Sequence, residues 1–124
     1  MAEHILIVDD DPLLCNLFEI TLRRKDYETQ VAYSGKDALE YVESTPVDLI
    51  LLDVMMADLN GFDVLRRLRE NPALNTIPVV FLTARVDAIS QKTGLDIGAV
   101  EYLTKPISPE ALLERVQAVL AARK

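Results

Sequence analysis

The sequence predicts one α/β domain built as a doubly wound, five-stranded parallel sheet with five helices, and two observations carry that prediction. Strand-like and helix-like segments alternate five times along the 124 residues, and such alternation implies βαβ units with right-handed crossovers and helices on both faces of one sheet. Within it, Val47-Asp48-Leu49-Ile50-Leu51-Leu52-Asp53 is an apolar run broken by one acid and closed by another. A run that short and that apolar reads as a central strand covered on both sides. Asp53 then stands at its carboxyl end, where open α/β sheets place their ligand sites.

The elements follow in order. Residues 4–8 form a first short apolar strand, and Asp11-Pro12 reads as the N-cap and first residue of a helix running to about Lys25. Leu14, Leu17, Phe18 and Leu22 are expected on its inner face, widened by Leu13 and Ile20. Residues 28–32 make a more polar strand, suited to a sheet edge. Ser34-Gly35 turns into a second helix striped by Ala38, Leu39 and Val42, which ends before Pro46. After the Asp53 strand, Gly61 permits a turn into a third helix carrying Val64, Leu65 and Leu68, stopped around Asn71-Pro72.

Residues 77–82 form the fourth strand, ending on Thr83-Ala84. Residues 86–96 have helical spacing at Val86, Ile89 and Thr93 and finish on Gly94. With so little to bury, this helix is expected to be the most mobile. Residues 99–103 are the fifth strand, followed by Thr104-Lys105-Pro106. Ser108-Pro109-Glu110 opens the last helix, striped by Leu112, Val116, Val119 and Leu120. Strand order 2-1-3-4-5, the flavodoxin-like arrangement, is the usual solution for such a chain, although alternation alone leaves the order open.

Composition narrows the function. The length suits one domain over residues 1–124, and with 50% hydrophobic residues it can bury a proper core. No stretch is long and apolar enough to cross a membrane, and the apolar segment 5–8 runs straight into three acids, unlike a signal peptide. The single cysteine, Cys15, fits a reducing compartment and reads as a small buried residue. A cytoplasmic protein is expected. The net charge of −7 argues against direct binding to nucleic acid or anionic lipid, and permits a basic partner surface.

If the strands run parallel, Asp9-Asp10, Asp53, Thr83 and Lys105 share one rim. Two carboxylates about 5 Å apart repel by roughly 3 kcal/mol at an effective dielectric near 20, so three together raise a pKa or recruit a cation. An all-oxygen pocket that also accepts phosphate selects Mg²⁺, with Mn²⁺ as a substitute. Asp10 and Asp53 would hold it directly, and Asp9 either directly or through a water. An aspartate beside such an ion can attack phosphorus while Lys105 neutralises the transferring oxygens and the Thr83 hydroxyl donates to one of them. Asp11 reads as a helix cap, Asp58 and Asn60 as turn residues, and His4 as a surface or packing histidine.

Ile5-Leu6-Ile7-Val8-Asp9-Asp10-Asp11-Pro12, Asp48-Leu49-Ile50-Leu51-Leu52-Asp53-Val54-Met55-Met56, Gly61, Leu82-Thr83-Ala84 and Tyr102-Leu103-Thr104-Lys105-Pro106 together resemble the receiver domain of two-component response regulators. The resemblance spans essentially the whole chain. It implies that Asp53 accepts a phosphoryl group from a phosphohistidine on a sensor histidine kinase or phosphotransfer protein, with Mg²⁺ held by Asp10, Asp53 and the Met55 backbone carbonyl. It further implies phosphoryl contacts at Thr83, Ala84 and Lys105, a cis bond between Lys105 and Pro106, and a switch in which Thr83 and Tyr102 move and reshape the face of helix four, strand five and helix five. By the same resemblance, Met55 and Arg85 occupy the two positions that in this family tune the lifetime of the aspartyl phosphate, and their bulk predicts slow self-dephosphorylation.

Three departures stand out. Ala57 replaces a usual proline and predicts a less rigid loop, Val100-Glu101 replaces an acidic pair and weakens the case for the dimer usual in transcription-factor receivers, and Ile107 replaces a frequent aromatic. The output partner or effector domain stays open, as does the choice between a monomer and a phosphorylation-linked homodimer. The chain would be no enzyme beyond turning over its own phosphate. An aspartate-nucleophile phosphatase of the haloacid-dehalogenase kind needs a second acid where Met55 stands, and a phosphate-independent interaction module would usually have lost an acid or the lysine.

Overall fold

The computed structural model describes residues 2–123, so Met1 and Lys124, the two ends of the predicted domain, lie outside the described residues. The elements run β1 (His4–Val8), α1 (Pro12–Arg23), β2 (Glu28–Ala32), α2 (Gly35–Ser44), β3 (Leu49–Leu52), α3 (Gly61–Glu70), β4 (Val79–Thr83), α4 (Ala88–Ile97), β5 (Glu101–Thr104) and α5 (Pro109–Arg123). Every strand pair is parallel and the order is β2-β1-β3-β4-β5, as expected. The polar strand β2 is indeed an edge, with Glu28 and Gln30 exposed.

Side chains alternate across a strand, and here the alternation divides the core in two. Leu6, Val8, Ile50, Leu52, Val79 and Phe81 meet Ala38 and Val42 of α2 and Val64, Leu65 and Leu68 of α3 on one face. Ile5, Ile7, Leu49, Leu51, Val80 and Leu82 meet Cys15, Phe18 and Leu22 of α1 and Leu112, Val116 and Leu120 of α5 on the other. Asp48, the acid inside the apolar run, sits just before β3 and is fully engaged. Its carboxylate accepts the His4 amide at 2.7 Å and Nη1 of Arg123 at 3.1 Å.

Two helix faces differ from the expectation. Leu13, Leu17 and Ile20 of α1 are exposed, whereas Phe18 and Leu22 face inward as expected, joined by Cys15. The helix is apolar on two adjoining faces, and the packing beside α5 decided which one faces the sheet. In α4, Val86 precedes the helix and is 60% exposed, Ile89 is 80% exposed, and the buried positions are Ser90 and Gly94. Small residues face inward because the rings of Phe81 and Tyr102 already fill the space. A Cβ on Gly94 would lie 3.0 Å from Phe81 and 3.1 Å from Tyr102. The helix therefore runs on past Gly94 to Ile97 and is closed by Gly98 at φ 124.

Other boundaries shift by a residue or two. α1 stops at Arg23, two residues early, where the chain bends through Asp26 at φ 66. β4 begins at Val79 and reaches Thr83, and β5 begins at Glu101 and reaches Thr104. Cys15 is buried as expected, and burial pushes its thiol up to about 12.

Candidate functional site: an acidic rim at the sheet's carboxyl edge

Backbone pairing continues past the strand ends and sets the rim. The Asp9 amide donates to the Ala32 carbonyl at 3.1 Å, the Asp53 amide to Val8 at 3.0 Å, and the Lys105 amide to Thr83 at 2.8 Å. β1 and β3 meet at the switch point of the strand order, where a doubly wound sheet opens its crevice. One carboxylate oxygen each from Asp9, Asp10 and Asp53 lies within 4.8 Å of the other two, with Asp9 and Asp53 buried and Asp10 exposed.

Lys105 binds two of these acids. Its Nζ lies 2.6 Å from Asp9 Oδ2 and 3.2 Å from Asp53 Oδ2. The other oxygen of each accepts a local amide, Asp9 Oδ1 that of Asp11 at 3.0 Å and Asp53 Oδ1 that of Met55 at 3.1 Å. Burial alone would push the Lys105 ammonium down, but its bonds to the two carboxylates outweigh that and hold it above its usual value. Burial pushes the Asp9 carboxyl up, with Lys105 and the Asp11 amide working against it. The rim thus holds more negative charge than one lysine neutralises, and its donors are hard oxygens of the kind that suit Mg²⁺ or Mn²⁺.

Thr83 is fully buried at the end of β4, and its Oγ1 accepts the Arg85 amide at 3.2 Å. The Tyr102 hydroxyl donates to the Arg85 carbonyl at 2.7 Å, while its ring packs on Phe81 with centroids 5.6 Å apart. Arg85's backbone therefore links the two residues expected to switch. Its side chain pairs with Asp87 at 3.2 Å, and Asp87 in turn caps α4 through the Ser90 amide and hydroxyl, each at 2.9 Å. Ala84 and Met55 are exposed, and the Lys105–Pro106 bond is cis.

Of the residues singled out from the sequence, the fold gathers Asp9, Asp10, Asp53 and Lys105 into one cluster, with Thr83 at the end of β4 beside it. The Arg85 guanidinium is not brought into the cluster, because Asp87 holds it. Asp11 is the N-cap of α1 and Asn60 that of α3. Asp58 adds a distant tie to its local one: its carboxylate accepts the amides of Gly35 and Lys36, and the neighbouring Leu59 amide also helps hold it below its usual range. Sequence reasoning missed that tie and the roles of Arg85's backbone and Asp87, although Asp87 lies three residues before Ser90 in the pattern of a capped helix. His4 packs against Tyr41, with Nε2 2.6 Å from its hydroxyl.

A groove of about 440 Å³ lies at the opposite end of β4 and β5, where Pro78, Val100, Arg115 and Val119 are among its lining residues. The acids stand at the carboxyl edge, only Asp10 of the three being exposed, and no described helix is long and apolar enough to cross a membrane.

Residues 5–117 match the family pattern described as the response regulator receiver domain. The response regulator ArlR of Staphylococcus saprophyticus is 40% identical over 94% of this chain and 51% of its own length, and the DNA-binding response regulator MtrA of Mycolicibacterium smegmatis is 42% identical over 97% and 51%. The chain thus spans about half the length of these curated relatives. Among solved structures, a CheY-like receiver domain protein from Methanospirillum hungatei superposes with a TM-score of 0.93 at 25% identity, covering 99% of this chain and 97% of its own. The chemotaxis response regulator CheY4 of Vibrio cholerae superposes at 0.90 with 29% identity, covering 96% and 99%. The strand order, the acids gathered at its switch point and this likeness along nearly the whole chain converge on one conclusion: the chain belongs to the response regulator receiver domain family of two-component systems.

Proposed function

We propose that the chain is a phosphoacceptor switch, one domain over residues 1–124, in which Asp53 takes a phosphoryl group from a phosphohistidine on a sensor histidine kinase or phosphotransfer protein. The observation that carries this reading is Lys105, bound at once to Asp53 and Asp9, with Asp10 in the same cluster. Asp53 is held for attack, since both its oxygens already have donors that fix the carboxylate. Its oxygen forms a bond to phosphorus as the bond from phosphorus to the donor imidazole breaks, and that imidazole leaves with the electron pair. Lys105 neutralises charge on the transferring oxygens, and the Thr83 hydroxyl and Ala84 amide donate to them.

Asp9, Asp10, Asp53 and the Met55 carbonyl would hold Mg²⁺, or Mn²⁺ in its place, which would supply neutralisation of the charge that develops during the transfer. Once phosphorylated, Thr83 moves towards the new group, and Tyr102 gives up its bond to Arg85 and turns inward. The face of α4, β5 and α5 then changes its affinity for an output partner or effector domain; the relative MtrA is itself a DNA-binding response regulator. A cytoplasmic site of action, as a monomer or a phosphorylation-linked homodimer, completes the reading. Turnover is limited to the chain's own phosphate.

Intact-mass spectrometry after incubation with Mg²⁺ and a small acyl phosphate tests it. One added phosphoryl group is expected, absent from Asp53→Asn and from an EDTA sample. No added mass in a folded chain that binds Mg²⁺ would transfer the weight to a phosphate-independent interaction module. Met55 is read as shielding the acyl phosphate from water, and Arg85 as doing so once its guanidinium leaves Asp87, so Met55→Asn and Arg85→Glu should lose phosphate faster than the parent.

A further inference from the structure

The loop 54–60 joins Asp53 to α3, and its two ends are tightly held. The Met55 amide donates to Asp53 Oδ1, and the Gly61 amide donates to the Val54 carbonyl at 2.8 Å. A Cβ on Gly61 would lie 2.3 Å from the Asp53 carbonyl oxygen, so the first turn of α3 rests on the phosphoacceptor's own backbone. The middle of the loop is held from elsewhere. Asp58 Oδ1 accepts the Gly35 amide at 3.0 Å and Oδ2 accepts the Lys36 amide at 2.9 Å.

Those are the first two amides of α2, donors for which helix geometry leaves no partner. A carboxylate on both is held by charge-assisted bonds at the positive end of the helix. The bond from Lys36 is the main reason the Asp58 carboxyl lies below its usual range. Yet α2 already has a cap of its own, because Ser34 Oγ accepts the Asp37 amide at 3.1 Å. The gain from the second cap therefore falls largely on the loop. Leu59 adds to the fit, lying so close to α2 that a Cβ on Gly35 would meet Leu59 Cβ at 2.9 Å.

We propose that Asp58 is a positioning residue: it ties the loop after the phosphoacceptor to the amino end of α2 and so fixes the Met55 carbonyl that completes the cation site. The inference rests on the phosphoacceptor reading and deepens it. It also assigns the rigidity of this loop, which Ala57 leaves unsupported by a proline ring, to a hydrogen-bonded carboxylate.

The test is an Mg²⁺ titration of the full chain followed by amide chemical shifts at Asp53 and Met55, with amide exchange at Met55 measured without the ion. Asp58→Ala is expected to bind Mg²⁺ about tenfold more weakly, the low end of what losing an outer contact does to a metal site, with faster exchange at Met55. Ser34→Ala removes the other cap of the same helix. It should lower the thermal midpoint by roughly 3–6 °C and leave Mg²⁺ binding unchanged. Asp58→Asn keeps one acceptor and should recover part of the affinity. Equal Mg²⁺ affinities in Asp58→Ala and the parent, or equal losses in Asp58→Ala and Ser34→Ala, would overturn the proposal by reducing Asp58 to a helix cap. A parent chain that binds no Mg²⁺ would overturn the phosphoacceptor reading itself, and the proposal with it.

Discussion

Helices α3 and α4 are each ten residues long, each opens on an Asx cap, and they pack side by side on one face of the sheet, yet they are held by different means. α3 buries Val64, Leu65 and Leu68 in the core, whereas α4 buries only Ser90 and Gly94 and leaves Ile89 and Leu95 exposed. At roughly 2 kcal/mol for each buried aliphatic side chain, α3 gains on the order of 6 kcal/mol that α4 lacks. The difference separates two duties. α3 presses on the Asp53 backbone and must stay; α4 is held by Asp87, by Tyr102's bond to the Arg85 carbonyl and by its contact with two rings, all of which can be exchanged at small cost.

The largest effect should come from Leu65→Ala, which empties a fully buried site in α3 and is expected to lower unfolding stability by about 3 kcal/mol in urea titrations. A loss below about 1 kcal/mol would break the contrast with α4.

Next comes the rim that α3 supports. Lys105→Met leaves Asp9 and Asp53 without their shared cation and should cost about 2 kcal/mol at neutral pH, given that the lysine is partly solvated. Because the folded Lys105 is held above its ordinary 10.5, its contribution is fully present below that value and is lost as pH rises through the raised folded value. The gap between parent and variant, measured by urea unfolding, should stay constant from about pH 7 to pH 10 and close above that window.

Gly94→Ala sharpens the contrast from the other side. The new methyl gains helix propensity of about 1 kcal/mol but presses on the fully buried Phe81 and on Tyr102, the half-buried ring with more room to shift, so the two effects offset and overall stability should change by less than about 1 kcal/mol. The strain should fall on Tyr102, seen as shifted ring resonances and faster amide exchange in α4. Smallest of all, Ile89→Ser on the exposed side of α4 should stay within about 0.5 kcal/mol of the parent. A larger loss would show that this face is already covered by something in solution.

Much of this was legible in the chain. The acids and the lysine lie at ends of strands whose hydrophobic runs are short and unambiguous, so Asp9, Asp10, Asp53 and Lys105 could be placed on one rim from spacing alone. The helix faces were harder. Phe18 and Leu22 could be placed on the inner side of α1, but Leu13, Leu17 and Ile20 are as apolar and turn outward, since only packing beside α5 discriminates between them. In α4 the apolar spacing pointed outward because the inward positions had to be small.

The sequence by itself determined the alternation of elements, the central strand that ends on Asp53 and the kinds of side chain available at the rim, because these follow from local periodicity and from the pleat of a strand. Only the tertiary structure decided who holds whom. Lys105 reaches Asp9 across 96 residues of chain and Asp58 reaches Gly35 across 23. Such bonds depend on the register between distant strands and on which helix amides remain without partners, and neither is set until the whole sheet has assembled.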